Sequence, residues 1–274
     1  MEIDELADPP SPRTDVPAVS PSRPTGCLHL AIESSGRQGS LALLRGGKVL
    51  RQTRLTQPGR TAATMAPALQ VMLRWGRSQG QELAAISVAA GPGSFTGLRI
   101  AVTTAKTLSY ALRVPLVAVD SLAAIAATAL GDTAGAERPA ENLPSPSETI
   151  LVAISAYRGR VFVANVPVAA CTPDGPSLPS SLSRVLEPQV WADRLTSLVP
   201  GQLVAGERSL FEQASRPPTF LARHSADAVG VGRIALASIR AGRWDDPIGL
   251  VPNYLRPSAA EENSGIRDES VGTS

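Results

Sequence analysis

Three short apolar stretches joined by glycine turns, followed by regular alternation of apolar strands with helices, constrain this chain more than any other feature. The segment CLHLAIESS alternates Leu28, Leu30 and Ile32 with other residues, the period of a strand. A turn at Gly36–Gly39 leads into SLALLR, and Arg45-Gly46-Gly47-Lys48 leads into VLRQTRL, so the opening reads as an antiparallel meander. The pattern then switches. TAATMAPALQVMLRWGRSQG reads as a helix, AAISVAA as a buried strand, and GPGSF as a turn into the helix TGLRIAVTTAKTLSYALR. PLVAVD is another buried strand and SLAAIAATAL a third helix. A meander that passes into strand–helix alternation predicts a mixed sheet with helices packed on its faces.

After a polar, proline-containing stretch at about 131–148 the opening theme returns in TILVAISAYRGRVFVANV. This weak long-period repeat predicts two related halves. The second half is poorer: a Pro/Ser-rich stretch at Pro173–Ser183, a helix near Pro188–Leu198, the strand QLVAG, a helix near Ala226–Ala241, and an extended LVPNYLRP. The expected organisation is an N-terminal tail over 1–26, a first half over 27–120, a reduced second half over 121–258 that includes the 131–148 linker, and a C-terminal tail over 259–274.

Hydrophobic residues make up 43% and charged residues 18%, which suits a globular protein with an aliphatic core. The formal charge is +2, and with both signs read as scattered it argues against a chain whose main task is gripping nucleic-acid backbone. No signal-like or membrane-spanning apolar run is evident, and Cys27 and Cys171 are the only cysteines, so a reducing, cytoplasmic setting is expected.

The segment with most chemical content is GPGSFTGLRI, Gly91 to Ile100. Gly91, Gly93 and Gly97 permit positive φ and close backbone approach, and Ser94 or Thr96 can cap the helix that follows. Such a helix start either holds a phosphate or is a structural tight turn. It is not a P-loop, because the spacing is wrong and no Lys follows the last glycine. Metal and nucleophile chemistry find no support: His29 and His224 lack partners at ligand spacing, and no Ser-His-Asp or Cys-His arrangement is legible.

GPGSFTGLRI, followed by an Ala/Thr-rich helix and PLVAVDSLAAIA, resembles the signature of the TsaB (YeaZ) family. IESSGRQGSLAL, AISAYRGRVFVA and PNYLRP agree with that family in order and spacing, over about Leu28 to Pro257. The resemblance implies an α/β, actin-like ATPase (ribonuclease H-like) fold with two unequal βββαβα-type halves and mixed sheets. It also implies a non-catalytic scaffold for a TsaD-like subunit that places threonylcarbamoyl on the tRNA adenosine 3′ of the anticodon, with a TsaE-like ATPase as third partner. Transfer RNA would then be met only through the complex, ATP or ADP at most at the complex interface, and a weak homodimer could form on the same surface.

Departures from the superfamily pattern fall at the acidic positions. Enzymes of this fold place a carboxylate at the end of the first strand of each half; here Glu33 occupies the first position and Ser155 the second. Gln57-Pro58-Gly59-Arg60-Thr61 keeps only the Arg of an Arg-Glu-His-like motif. By family likeness, the partner surface is expected on the first two long helices, at Met65, Met72, Thr103, Thr104 and Thr107. The rival expectations are an ATP-hydrolysing or metallopeptidase-like enzyme of the same superfamily, or a nucleotide-binding module using Gly91–Gly97 and Glu33.

Overall fold

The computed structural model describes residues 26–55, 61–135, 144–221 and 225–255. Both expected tails except Gly26, the Gln57–Arg60 stretch and His224 lie outside these residues.

The meander forms as expected: β1 (Leu28–Glu33), β2 (Ser40–Arg45) and β3 (Lys48–Arg54) pair antiparallel. Helix α1 (Thr61–Ser78) crosses to β4 (Leu83–Gly91), and α2 (Phe95–Leu112) crosses to β5 (Leu116–Asp120). Both β4 and β5 run parallel within the sheet, giving the order β3-β2-β1-β4-β5. Helix α3 spans Ser121–Gly135. A second sheet repeats the plan. Its strands β6 (Thr149–Ser155), β7 (Val161–Pro167) and β8 (Arg184–Leu186) are antiparallel, and β9 (Leu203–Gly206) and β10 (Thr219–Phe220) add in parallel. Its order, β10-β9-β6-β7-β8, maps strand for strand onto the first. Strands β8 and β10, three and two residues long, are too short to show a period and have no counterpart in the sequence reading.

Helices α1 and α2 cover the outer face of the first sheet, and α4 (Pro188–Thr196) covers the outer face of the second. Between the sheets lie α3 and α5 (Ala228–Arg240), which pack on each other. Helix α3 is buried from Ser121 through Ala129 because it has protein on every side, and its run of alanines is what lets two sheets and a helix close around it. The α3–α5 approach is tight at Gly230, where a Cβ would stand 2.3 Å from the Ala124 carbonyl oxygen.

Chain order and spatial order part company at the end. Helix α5 follows the second sheet yet packs on β1, β2, β4 and β5 of the first. The stretch after it straps back over the first lobe. Asp245 N donates to the Leu116 carbonyl, Asn253 N donates to the Ala90 carbonyl, and the Lys106 ammonium donates to the carbonyls of Ile248 and Leu250.

Candidate functional site: the α1–α2 face and the cleft between the sheets

Helix α2 starts where the sequence placed it. Ser94 is its N-cap, accepting from Gly97 N at 3.3 Å, and Arg113 closes it in a left-handed conformation, donating its N–H to the Ser109 and Tyr110 carbonyls. The glycines of the preceding turn serve contact with the chain itself. Gly91 has φ 122°, and a Cβ there would stand 2.7 Å from the Asn253 carbonyl oxygen. At Gly97 a Cβ would lie 1.9 Å from the Ser34 carbonyl oxygen, and Ser34 Oγ donates to the Gly97 carbonyl at 2.6 Å. Gly93 presses on Ser35, whose carbonyl accepts from Ser94 N at 2.7 Å. Close backbone approach therefore accounts for all three glycines, and the Ser94 and Gly97 amides already have partners. Thr96 is exposed on the first turn.

The glycine-rich signature and the supporting PNYLRP segment meet here. Phe95 and Tyr254 stack at 4.8 Å between ring centroids; the Arg99 guanidinium lies 3.8 Å from the Phe95 centroid and donates from Nε to the Tyr254 hydroxyl at 3.1 Å. Residues of the glycine-rich signature thus clasp the C-terminal Tyr-Leu segment, a pairing that sequence separation hides.

Beside that clasp runs the outer surface of α1 and α2. Ala62, Ala66, Arg99, Ile100, Thr103 and Thr104 line a shallow groove of about 360 Å³, floored by Met65 and Leu69. Thr103 and Thr107 are exposed and Thr104 half-buried. Met65 and Met72 depart from expectation: they are 2% and 1% exposed, packed with Leu69 on the first sheet. The inward stripe of α1 is Met65, Leu69, Met72 and Gly76, which turns Ala62, Ala66 and Val71 outward, so the soft thioethers belong to the core.

A cleft of about 800 Å³ opens between the sheets, lined by the Ser35–Ser40 turn, Arg54, Gly93, Ser94, Ser155, Tyr157, Glu207 and Asp227. Glu33 does not line it. The Glu33 carboxyl is fully buried; Oε1 accepts from Ser35 N and Ser35 Oγ, both at 2.6 Å, and Oε2 has no hydrogen-bond partner among the described residues. Burial pushes its pKa from 4.5 to about 7, outweighing the Ser35 donors. Ser155, exposed at the equivalent strand end, brings no charge. Of the two strand-end positions, then, one carries a sealed carboxyl and the other none, and no group of three or more His, Cys, Asp or Glu side chains that could hold a metal ion occurs among the described residues. His29 is buried against Gly232 of α5, where desolvation lowers its pKa from 6.5 to about 4.

Asp120 was not singled out from the sequence. Its carboxylate caps α3 by accepting from Leu122 N and Ala123 N, and it ties down the Pro/Ser-rich stretch by accepting from Ser183 N and Ser183 Oγ. An acidic residue directly before an apolar helix is a legible cap signal; its second tether is not.

Duplicated mixed sheets enclosing two central helices define a protein of the actin-like ATPase (ribonuclease H-like) fold. Comparison with known proteins narrows this. Residues 60–170 match the family model described as TsaD, tRNA N6-adenosine threonylcarbamoyltransferase. The tRNA threonylcarbamoyladenosine biosynthesis protein TsaB of Bacillus subtilis (strain 168) is 40% identical over 98 residues, 36% of this chain and 43% of that one. Its namesake from Buchnera aphidicola is 31% identical over 99 residues, 36% and 44% of the respective chains. A solved Pseudomonas aeruginosa protein described as similar to peptidase YEAZ superposes with a TM-score of 0.65 at 24% identity, covering 84% of this chain and 100% of that one. A second structure, YeaZ from Pseudomonas aeruginosa, gives 0.61 at 24% identity, covering 82% and 99%. Over these stretches the chain is similar to TsaB (YeaZ) proteins. Its alignments span less than half the length of the curated relatives they match. No helix among the described residues is long and apolar enough to cross a membrane.

Proposed function

We propose that this chain serves tRNA threonylcarbamoyladenosine biosynthesis as a non-catalytic subunit that docks a TsaD-like catalytic relative through the outer face of α1 and α2. The observation that carries this is the character of that face. From Thr61 to Leu73 the chain has no charged residue, and the outward positions Ala62, Ala66, Ile100, Thr103 and Thr107 are small or apolar. Small side chains let a second helix pair approach closely. The match of residues 60–170 to the TsaD family supports a partner with an equivalent helix pair, so that like faces meet about a pseudo-two-fold axis. In the absence of that partner the same face forms a weak homodimer. The burial of Glu33 and the serine at position 155 support the non-catalytic role. This reading puts ATP or ADP at the interface with the partner, a TsaE-like ATPase as third component, and the assembly in the cytoplasm.

The test is a pair of charge insertions at exposed groove positions, Ala66→Arg and Thr103→Arg. A guanidinium buried without a partner in a helix seam costs several kcal/mol, and about 3 kcal/mol weakens binding more than a hundredfold. Both variants should keep the wild-type melting temperature and lose co-purification with a TsaD homologue. Variants that fold and bind as wild type would place the interface elsewhere.

A further inference from the structure

The modest net charge hides a segregation. From Ser34 to Val119 the chain carries eleven Lys and Arg residues and a single acidic one, Glu82. The first lobe is therefore strongly basic, and the remainder of the chain offsets it. The two signs are thus segregated along the chain rather than scattered as expected above.

The fold concentrates part of this charge at one end of the lobe, away from the cleft. Arg45 and Lys48 pair across the β2–β3 turn, and Arg45 lies opposite Leu28 at the start of β1. Arg51 sits opposite Leu43 on the α1 side of edge strand β3, with its guanidinium 5.6 Å from the Trp75 ring of α1. Two residues beyond Trp75, Arg77 joins Arg113, the C-cap of α2, in a crevice of about 460 Å³ that also touches Leu28 and Leu43. Arg45, Lys48, Arg77 and Arg113 are exposed. No ion pair involves any of the five among the described residues: the pairs found are Arg160–Glu187 and Arg240–Asp174. The acidic neighbours are Glu82, in the same crevice, and Asp174, beyond Pro173 where that residue meets Gly47, which Arg240 engages.

We infer that this end of the first lobe is a binding surface for RNA phosphate backbone, contacted directly by this chain. Four of the five groups are guanidinium, whose planar fork matches phosphate oxygens, and they border a helix pair whose other exposed charges, Arg74 and Arg99, are also basic. Together with the proposed function, on which the choice of RNA rests, this puts substrate backbone beside the seam with the catalytic partner.

The experiment titrates fluorescent unmodified tRNA with the full-length chain from 50 to 200 mM salt. For about five phosphate contacts, released counterions make affinity fall roughly 500-fold over that range; for about three, roughly 40-fold. Wild type should follow the steeper line, and the double variant Arg45→Glu/Lys48→Glu the shallower one, with an unchanged melting temperature. Wild type that fails to bind, or a double variant with the wild-type slope, overturns the inference, as does a surface that takes phosphatidylserine vesicles but not tRNA. Co-purification with the TsaD homologue, measured on the same double variant, separates the readings. Retained pairing with weakened tRNA binding supports both, whereas pairing without any tRNA effect removes only this inference. Absence of pairing already in wild type, with tRNA binding intact and lost in the variant, removes only the docking role.

Discussion

Replacing Glu33 by Gln should change how stability depends on pH, because two buried groups titrate in opposite senses within one sheet. The Glu33 carboxyl holds its proton to about pH 7 in the folded chain and to 4.5 when unfolded. Its contribution is complete below 4.5 and is lost as pH rises through 7. His29 runs the other way. With a folded pKa of about 4 against 6.5 unfolded, its contribution is complete above 6.5 and is lost as pH falls to 4. Each shift corresponds to about 3 kcal/mol at 1.36 kcal/mol per unit. Between pH 4.5 and 6.5 the slopes cancel, so these two groups leave wild type flat there. In Glu33→Gln the amide does not titrate, and the His29 slope stands alone. The variant should gain about 3 kcal/mol between pH 4 and 6.5, roughly 6–12 °C in melting temperature for a chain of this size. The assay is thermal and urea unfolding of both proteins from pH 4 to 8, read as the difference between them so that all other groups drop out. A difference that stays constant from pH 4.5 to 7 would refute the reasoning, since the Glu33 proton would then be bound equally in both states.

Gly97→Ala should destabilise by at least about 2 kcal/mol, because its Cβ would stand 1.9 Å from a backbone oxygen that cannot swing away, whereas Gly36→Ala, with nothing within 4 Å, should be near neutral in the same urea titration. Asp120→Ala should cost about 3 kcal/mol in the same measurement, combining a lost helix cap with orphaned Ser183 donors. A loss below about 1 kcal/mol would mean the 173–183 stretch is held by other contacts.

Much of the fold was legible because its signals are local. The β1–β3 meander follows from period-two alternation and glycine turns, and α2 from Ser94 and the inward row Leu98, Ala101, Val102 and Ala105. The site was legible only in part. Thr103 and Thr107 emerge on the outer face as expected, but on α1 two apolar stripes lie side by side, and periodicity does not say which one meets the sheet. Family likeness points Met65 and Met72 outward, whereas they form the inward stripe. The charge pattern was in the sequence throughout; averaging over the whole chain concealed it, since net charge sums over lobes that the fold keeps apart.

The sequence by itself determined most of the strand and helix order, the duplicated plan and, through GPGSFTGLRI and its companion segments, the resemblance to TsaB (YeaZ) proteins, because backbone propensities and turn residues act over a few positions. Only the tertiary structure decided that α5 returns to the first sheet, that Tyr254 is clasped by Phe95 and Arg99, and that Glu33 is sealed from the cleft. Each of these is a contact between residues far apart in the chain or a degree of desolvation. Both depend on how elements pack in space, which local periodicity does not encode.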